Sequence, residues 1–292
     1  MAFSGIFQKA IPENHTAPNK KGRRETMKPL HNLLKPILGA AALMACMAGP
    51  AHADTLADIK AAGVIKVATS LSVTPYTYIN AEMKPDGSDV ATAQLLAQDL
   101  GVRLEIVNTP VASRIPTLQT GKADLVISVL SVSPERQKII DFSRPYSLIR
   151  EVLIAPKDLA VGSYDDLAGK AVGVTRGTVE DKLITDNAPK ADIRRYEDVA
   201  TLITAAASGQ VKYVATGLIS LAELNKKTGD KFESKFVMKD FMLAMGLRKN
   251  NPEFHDWLNK WVATNLENGK LGAIFKQYHH VELSPQVLQA DK

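Results

Sequence analysis

From Leu56 to Tyr278 short strands alternate with helices, and the alternation runs twice. That restart limits the fold more than any single motif. In the first run Leu56 to Ala62 reads as a helix closed by Gly63, and Val64 to Ser70 as a strand of period two. Asp89 to Leu100 is a helix stopped by Gly101, and Val102 to Val107 the next strand. Ser113 to Thr120 is a helix ending at Gly121, and Ala123 to Val129 a strand. In the second run strands are expected over Ala171 to Thr175, Ile193 to Tyr196, Val211 to Ala215 and Met242 to Arg248. Helices are expected over Val179 to Asp186, Val199 to Ser208 and Ile219 to Lys227, with two more at Pro252 to Leu266 and Leu271 to Tyr278. Such spacing means βα units: an α/β chain of two lobes, each a mostly parallel sheet flanked by helices. A chain of 292 residues is long enough for both. Residues 54–149 with 248–292 should form the first lobe and 150–247 the second. Extended stretches near Ser147 to Ala155 and Phe241 to Arg248 are the expected crossings. Two crossings make a hinge with a cleft, and ligands favour such clefts and the carboxyl ends of parallel strands.

The stretch richest in chemistry runs from Ile127 to Tyr146. An apolar strand end turns polar at Ser131, and Ser133-Pro134-Glu135 then reads as a helix start with Ser at the N-cap and Pro at the first position. Free backbone N–H groups there suit an anion, and the Arg136 fork can hold a carboxylate through two parallel hydrogen bonds. An Arg on a first turn is also commonly a solvated surface residue, so the flanking residues have to decide. A second cradle follows strand Ala171 to Thr175: Gly177 lets the backbone approach closely, and Thr178 sits at a helix start. A threonine there is equally an ordinary cap. Tyr76 and Tyr78 can wall a pocket or fill a core. Arg114 and Arg176 can serve a second anionic group or stay solvated.

The run Ser133-Pro134-Glu135-Arg136, continued by Asp141 to Tyr146, resembles the arginine-bearing signature of the periplasmic solute-binding proteins of amino-acid ABC transporters, solute-binding family 3. Gly173-Val174-Thr175-Arg176-Gly177-Thr178 is similar to that family's second-lobe loop. The likeness extends from Ile59 to His279. It implies a two-lobed periplasmic-binding-protein-like fold with two hinge strands. It also implies a ligand site in which Arg136 and Thr178 take the carboxylate, Ser131 and Gly177 assist, and Val129 offers its carbonyl. Ser70 stands where basic-residue binders carry an acid. Gly217 stands where the family carries the aspartate that pairs with the ligand's α-ammonium. The carboxylate half of an amino-acid site is therefore present and the ammonium half incomplete. A buried ammonium without an acid is unfavourable by several kcal/mol. Either another acid substitutes, with Glu180 and Asp181 as candidates, or the ligand lacks the amine.

Charge adds exclusions. Residues 1–53 hold seven Lys/Arg and two Glu; taking these from totals of 36 basic and 31 acidic residues leaves 29 of each. A neutral body gives no electrostatic case for nucleic acid or a membrane surface. The first 53 residues read as an export signal: a basic region with Lys28 and Lys35, an apolar run from Ile37 to Gly49, and Ala51-His52-Ala53 as cleavage site. Met27 would give a signal of more usual length. The single cysteine, Cys46, lies in a stretch resembling a lipoprotein box; if cleavage follows Ala53 instead, the exported chain has no cysteine. Adjacent His279 and His280 point apart on a helix and make no metal pair.

The expectation is a periplasmic receptor, acting as a monomer without cofactor or metal. It would capture an amino acid or related small carboxylate and deliver it to an ABC permease. Two alternatives stand beside it: a dehydratase-like enzyme on the same scaffold and a sensing module. Neither a zinc spacing nor a nucleophile elbow is present to support an enzyme.

Overall fold

The computed structural model describes residues 55–290. The expected export segment, its cleavage site and Cys46 lie outside the described residues. The strands, in chain order, are β1 Val64–Thr69, β2 Tyr78–Ile79, β3 Pro85–Asp86, β4 Arg103–Asn108, β5 Leu125–Val126, β6 Asp141–Phe142, β7 Ser147–Pro156, β8 Ala171–Thr175, β9 Asp192–Tyr196, β10 Tyr213–Gly217, β11 Phe232–Leu243 and β12 Gly246–Leu247. The helices are α1 Thr55–Ala62, α2 Ser88–Leu100, α3 Arg114–Gln119, α4 Pro134–Gln137, α5 Val179–Asn187, α6 Val199–Ala207, α7 Ser220–Thr228, α8 Pro252–Glu267, α9 Lys270–His279 and α10 Pro285–Gln289.

Two five-stranded sheets result, ordered β4-β1-β5-β12-β6 and β11-β7-β10-β8-β9. In the first, β4, β1 and β5 are parallel neighbours, and β12 runs against both β5 and β6. In the second, β10, β8 and β9 are parallel neighbours, and β7 runs against both β10 and β11. Four strands of five thus point one way in each sheet, and the reversed strand in each is the one entered from the other lobe. That is the α/β, two-lobed architecture expected from the alternation.

The crossings differ in detail from expectation. Ser147 to Ala155 is not a bridge but the inner part of β7, a full member of the second sheet. The chain passes over in Ser143 to Tyr146 and returns in Ala244 and Met245. These passages are fastened together: Ser143 N donates to Met245 O (2.9 Å), Met245 N to Ser143 Oγ (3.0 Å), and Tyr146 N to Leu243 O (3.0 Å). Of β11 only Met242 and Leu243 fall within an expected strand, Met242 to Arg248, which is split at Ala244 and Met245 where the chain changes sheets. The register of β11 shifts at Ser234/Phe236 and again at Val237/Lys239, which breaks the period of two that marks a strand.

Caps follow local chemistry. Ser133, Thr178 and Asp198 cap α4, α5 and α6 by accepting from the backbone N–H three residues on. Beneath the helices, Ala68, Leu118, Val126, Leu130 and Ile140 form one apolar cluster, and Leu153, Val172, Val174, Ile184 and Ala215 another. Among the described residues no helix is long and apolar enough to cross a membrane.

Gly246 opens β12 against the first of these clusters: a Cβ there would lie 2.7 Å from Leu130 Cδ2 and 3.1 Å from Ile140 Cδ1. Gly246→Ala is expected to lower stability by about 1–3 kcal/mol through overpacking, read from urea unfolding. An unchanged midpoint would show that the two side chains yield freely.

Candidate functional site

Between the two sheets lies a cavity of about 490 Å³ of atom-free space, part of it open to solvent. Its walls come from strand ends and helix starts of both lobes, as expected of an α/β cleft. From the first lobe it takes Ser70 at the end of β1, Arg114 on α3, Val129 and Ser131 after β5, and Arg136 on α4. From the second come Ile149 and Glu151 on β7, Thr178 before α5, Glu180 on it, and Thr216 and Gly217 at the end of β10.

Arg136 spans the gap. It donates from Nη1 to Ser131 O (2.8 Å) in its own lobe and from Nη2 to Gly177 O (3.2 Å) in the other. Gly177 has φ of +73° and approaches Ala112 so closely that a Cβ would lie 3.1 Å from Ala112 Cα. Thr178 lines the cavity, but its hydroxyl is engaged: it donates to Thr175 O (2.7 Å) and accepts from Asp181 N (3.2 Å). The cap is thus real, and the proton of that hydroxyl is directed away from the cavity.

Arg114 differs from its expected part. Its Nε donates to Val111 O (2.8 Å) and its Nη1 to the carbonyls of Ser128 and Val129, so much of its fork holds the loop after β5. Asp89 completes that brace, accepting from Val129 N (2.6 Å) and Tyr146 Oη (2.9 Å), and Val129 adopts φ of +48°. Burial raises the Asp89 carboxyl to about 6, while the Val129 N–H, the Tyr146 hydroxyl and Arg114 pull it down. Burial lowers Arg114 to about 9, and the neighbouring Arg136 adds to that. Ser70 sits beside this brace, donating from its N–H to Ser128 Oγ (2.9 Å).

Tyr76 must be corrected: it does not wall the cavity. It is buried behind the first sheet, edge-on to His279 (centroids 4.4 Å apart), with its hydroxyl 3.5 Å from Leu148 O. His279 in turn stacks on Phe275 and meets Ser88 Oγ at 3.0 Å. Arg176 pairs with Glu197 (3.0 Å) and Asp181 with Arg195 (2.9 Å), both away from the cavity. Among the described residues no group of three or more His, Cys, Asp or Glu could hold a metal.

Two acids do face the cavity. Glu180 is one of the candidates named from sequence; burial raises its carboxyl to about 7, opposed by its own backbone N–H and the Thr178 hydroxyl, then by Arg136 and Arg114. Glu151 escaped notice. It is 2 % exposed, its Oε2 has no hydrogen-bond partner, and burial, then the nearby Glu180, holds its carboxyl well above the ordinary range. A charged residue at an inward position of a buried apolar strand was the available signal. Reading that strand as a hinge concealed it.

Residues 65–281 match the model of the bacterial extracellular solute-binding proteins, family 3. The chain is 28 % identical over 267 residues to the L-cystine-binding protein TcyJ of Escherichia coli (strain K12), covering 88 % of this chain and all of that one. It is similar in fold to the solute receptor for L-cysteine of Neisseria gonorrhoeae, with TM-score 0.73, 25 % identity, and 80 % and 98 % of the two chains covered. It also resembles the ancestral amino acid-binding protein AncCDT-1, a precursor of cyclohexadienyl dehydratase, with TM-score 0.70, 30 % identity, and 77 % and 99 % covered.

The raised Glu180 carboxyl has a consequence for the ligand-free protein. The folded chain holds that proton more tightly than the unfolded chain, whose Glu titrates near 4.5. Stability therefore falls as pH rises from about 4.5 to about 7. Glu180→Gln should remove this component, so that between pH 5 and 7.5 wild type loses on the order of 1–3 kcal/mol more than the variant. Parallel pH profiles would contradict the assignment.

Proposed function

Because this chain belongs to the bacterial extracellular solute-binding proteins of family 3, we propose that it captures an amino acid or related small carboxylate in its interlobe cleft and delivers it to an ABC permease. The observation that carries this reading is Arg136, which projects from one lobe into a cavity and touches the Gly177 carbonyl of the other. A guanidinium whose fork faces a cavity can take a carboxylate bidentately, exchanging a carbonyl partner for a charged one. Ser131 steadies that fork, and Ser70 and the Val129 carbonyl line the same space. Arg114 acts through the loop it braces. Val73, Val111, Ile149, Val199 and Ile219 offer apolar wall for a side chain.

In this reading β1, β4, β5, β6 and β12 belong to the first lobe and β7 to β11 to the second, so the divisions fall in Ser143 to Tyr146 and Ala244 to Met245 rather than at 149/150 and 247/248, and the lobes close about those two passages. The chain works as an exported monomer cleaved after Ala53, without cofactor and without turnover.

The test is a thermal-shift panel of amino acids and small organic acids, followed by incubation of each hit and a search for product. Ligand at a hundredfold excess over Kd should stabilise the protein by about 2.7 kcal/mol. Arg136→Ala should weaken binding at least ~100-fold, as expected for one partner lost from a buried charge pair. Shifts that survive Arg136→Ala, or a hit converted to product, would contradict the reading. Gly177→Ala strains a positive φ and crowds Ala112, so it should weaken affinity roughly tenfold or more by hindering closure, read by titration calorimetry. Unchanged affinity would mean that closure does not bring these residues so near.

A further inference from the structure

We propose that Glu151 receives the ammonium group of an α-amino acid whose carboxylate is held by Arg136. This rests on the amino-acid receptor reading above and makes it specific to zwitterions.

Glu151 lies midway along β7, directly opposite Gly217 of β10 in the antiparallel register. Directly opposed residues project to the same face of a sheet. A Cβ built at Gly217 would lie 3.8 Å from Glu151 Oε2 and 2.7 Å from Ile149 Cδ1. A side chain at 217 would therefore fill the space in front of the carboxylate, and glycine leaves that space to the cavity. An acid absent from β10 is supplied from the neighbouring strand.

The carboxylate is not serving the fold. It is 2 % exposed, Oε2 has no hydrogen-bond partner, and Glu151 joins no ion pair among the described residues. A buried acid in that state is unfavourable and persists only where something else repays it. A ligand cation would. Glu180 is the other acid in the cavity, but it lies near both guanidiniums, whereas Arg136 alone opposes burial at Glu151. Burial and the Glu180 charge keep the Glu151 carboxyl well above its ordinary range. Arrival of an ammonium would turn that unfavourable burial into an ion pair. The cavity thus offers a guanidinium from one lobe and an unpartnered carboxylate from the other. A zwitterion satisfies both, and closure brings them together.

The experiment compares wild type with Glu151→Gln by calorimetry. The ligands are the L-amino acid giving the largest thermal shift and the carboxylic acid of the same side chain with hydrogen in place of the α-amine. Wild type should prefer the amino acid by about 100-fold or more. Glu151→Gln should lose at least ~30-fold for the amino acid and change less than about threefold for the deaminated acid. A variant that keeps the wild-type preference overturns the role of Glu151 and leaves the receptor reading standing. A folded wild type that binds no amino acid overturns both. Should Glu151→Gln not fold, the triple variant Glu151→Ala, Gly217→Asp, Ile149→Val carries the test, because it moves the acid to β10 and removes the Cδ1 in its way. That variant should prefer the amino acid; a folded triple variant that binds both ligands equally overturns the proposal.

Discussion

The bond from Arg136 to the Gly177 carbonyl fixes what the rest of this molecule can do. It ties the lobes together, and it does so with a group that can exchange its partner. A carbonyl accepting one N–H is a modest acceptor, and a carboxylate accepting two is a stronger one. The contact across the cleft is therefore one that a ligand carboxylate can replace. The brace around Val129 serves this arrangement. Arg114 and Asp89 hold the loop after β5 by its carbonyls and its N–H, and that loop carries Ser131, the other anchor of the Arg136 fork.

Electrostatics gives the cavity its character. Two guanidiniums and two carboxylates share one buried space. Each is costly there alone, and each shifts in the direction burial dictates: both arginines downward, both glutamates upward. Such a set is poor material for stability, since apolar residues of like volume would hold the lobes at least as well. It is good material for recognising a small molecule that carries both signs. Between the charges the wall is apolar, lined by Val73, Val111, Ile149, Val199 and Ile219.

Much of this was legible in sequence because it is local. The Ser133-Pro134 and Gly177-Thr178 starts follow capping rules that need only a few neighbouring residues, and the alternation of strands and helices needs only periodicity. What stayed hidden is tertiary. Tyr76 stands in an extended stretch open to either use, and only the approach of His279 settles it in the core. The sequence leaves Arg114 between a second anionic group on the ligand and solvent, because nothing in it shows three carbonyls converging on that fork. Glu151 was hidden because the register that sets it opposite Gly217 joins residues 66 positions apart. Most of β11 was hidden because its bulges erase the alternation that would reveal it.

The most direct measurement is a crystal structure with a bound amino acid. The account requires the ligand carboxylate at about 2.7–2.9 Å from the Arg136 fork, and the ammonium at a similar distance from the carboxylate on β7. A ligand seated elsewhere, or in the cavity with its carboxylate turned from Arg136, would contradict it.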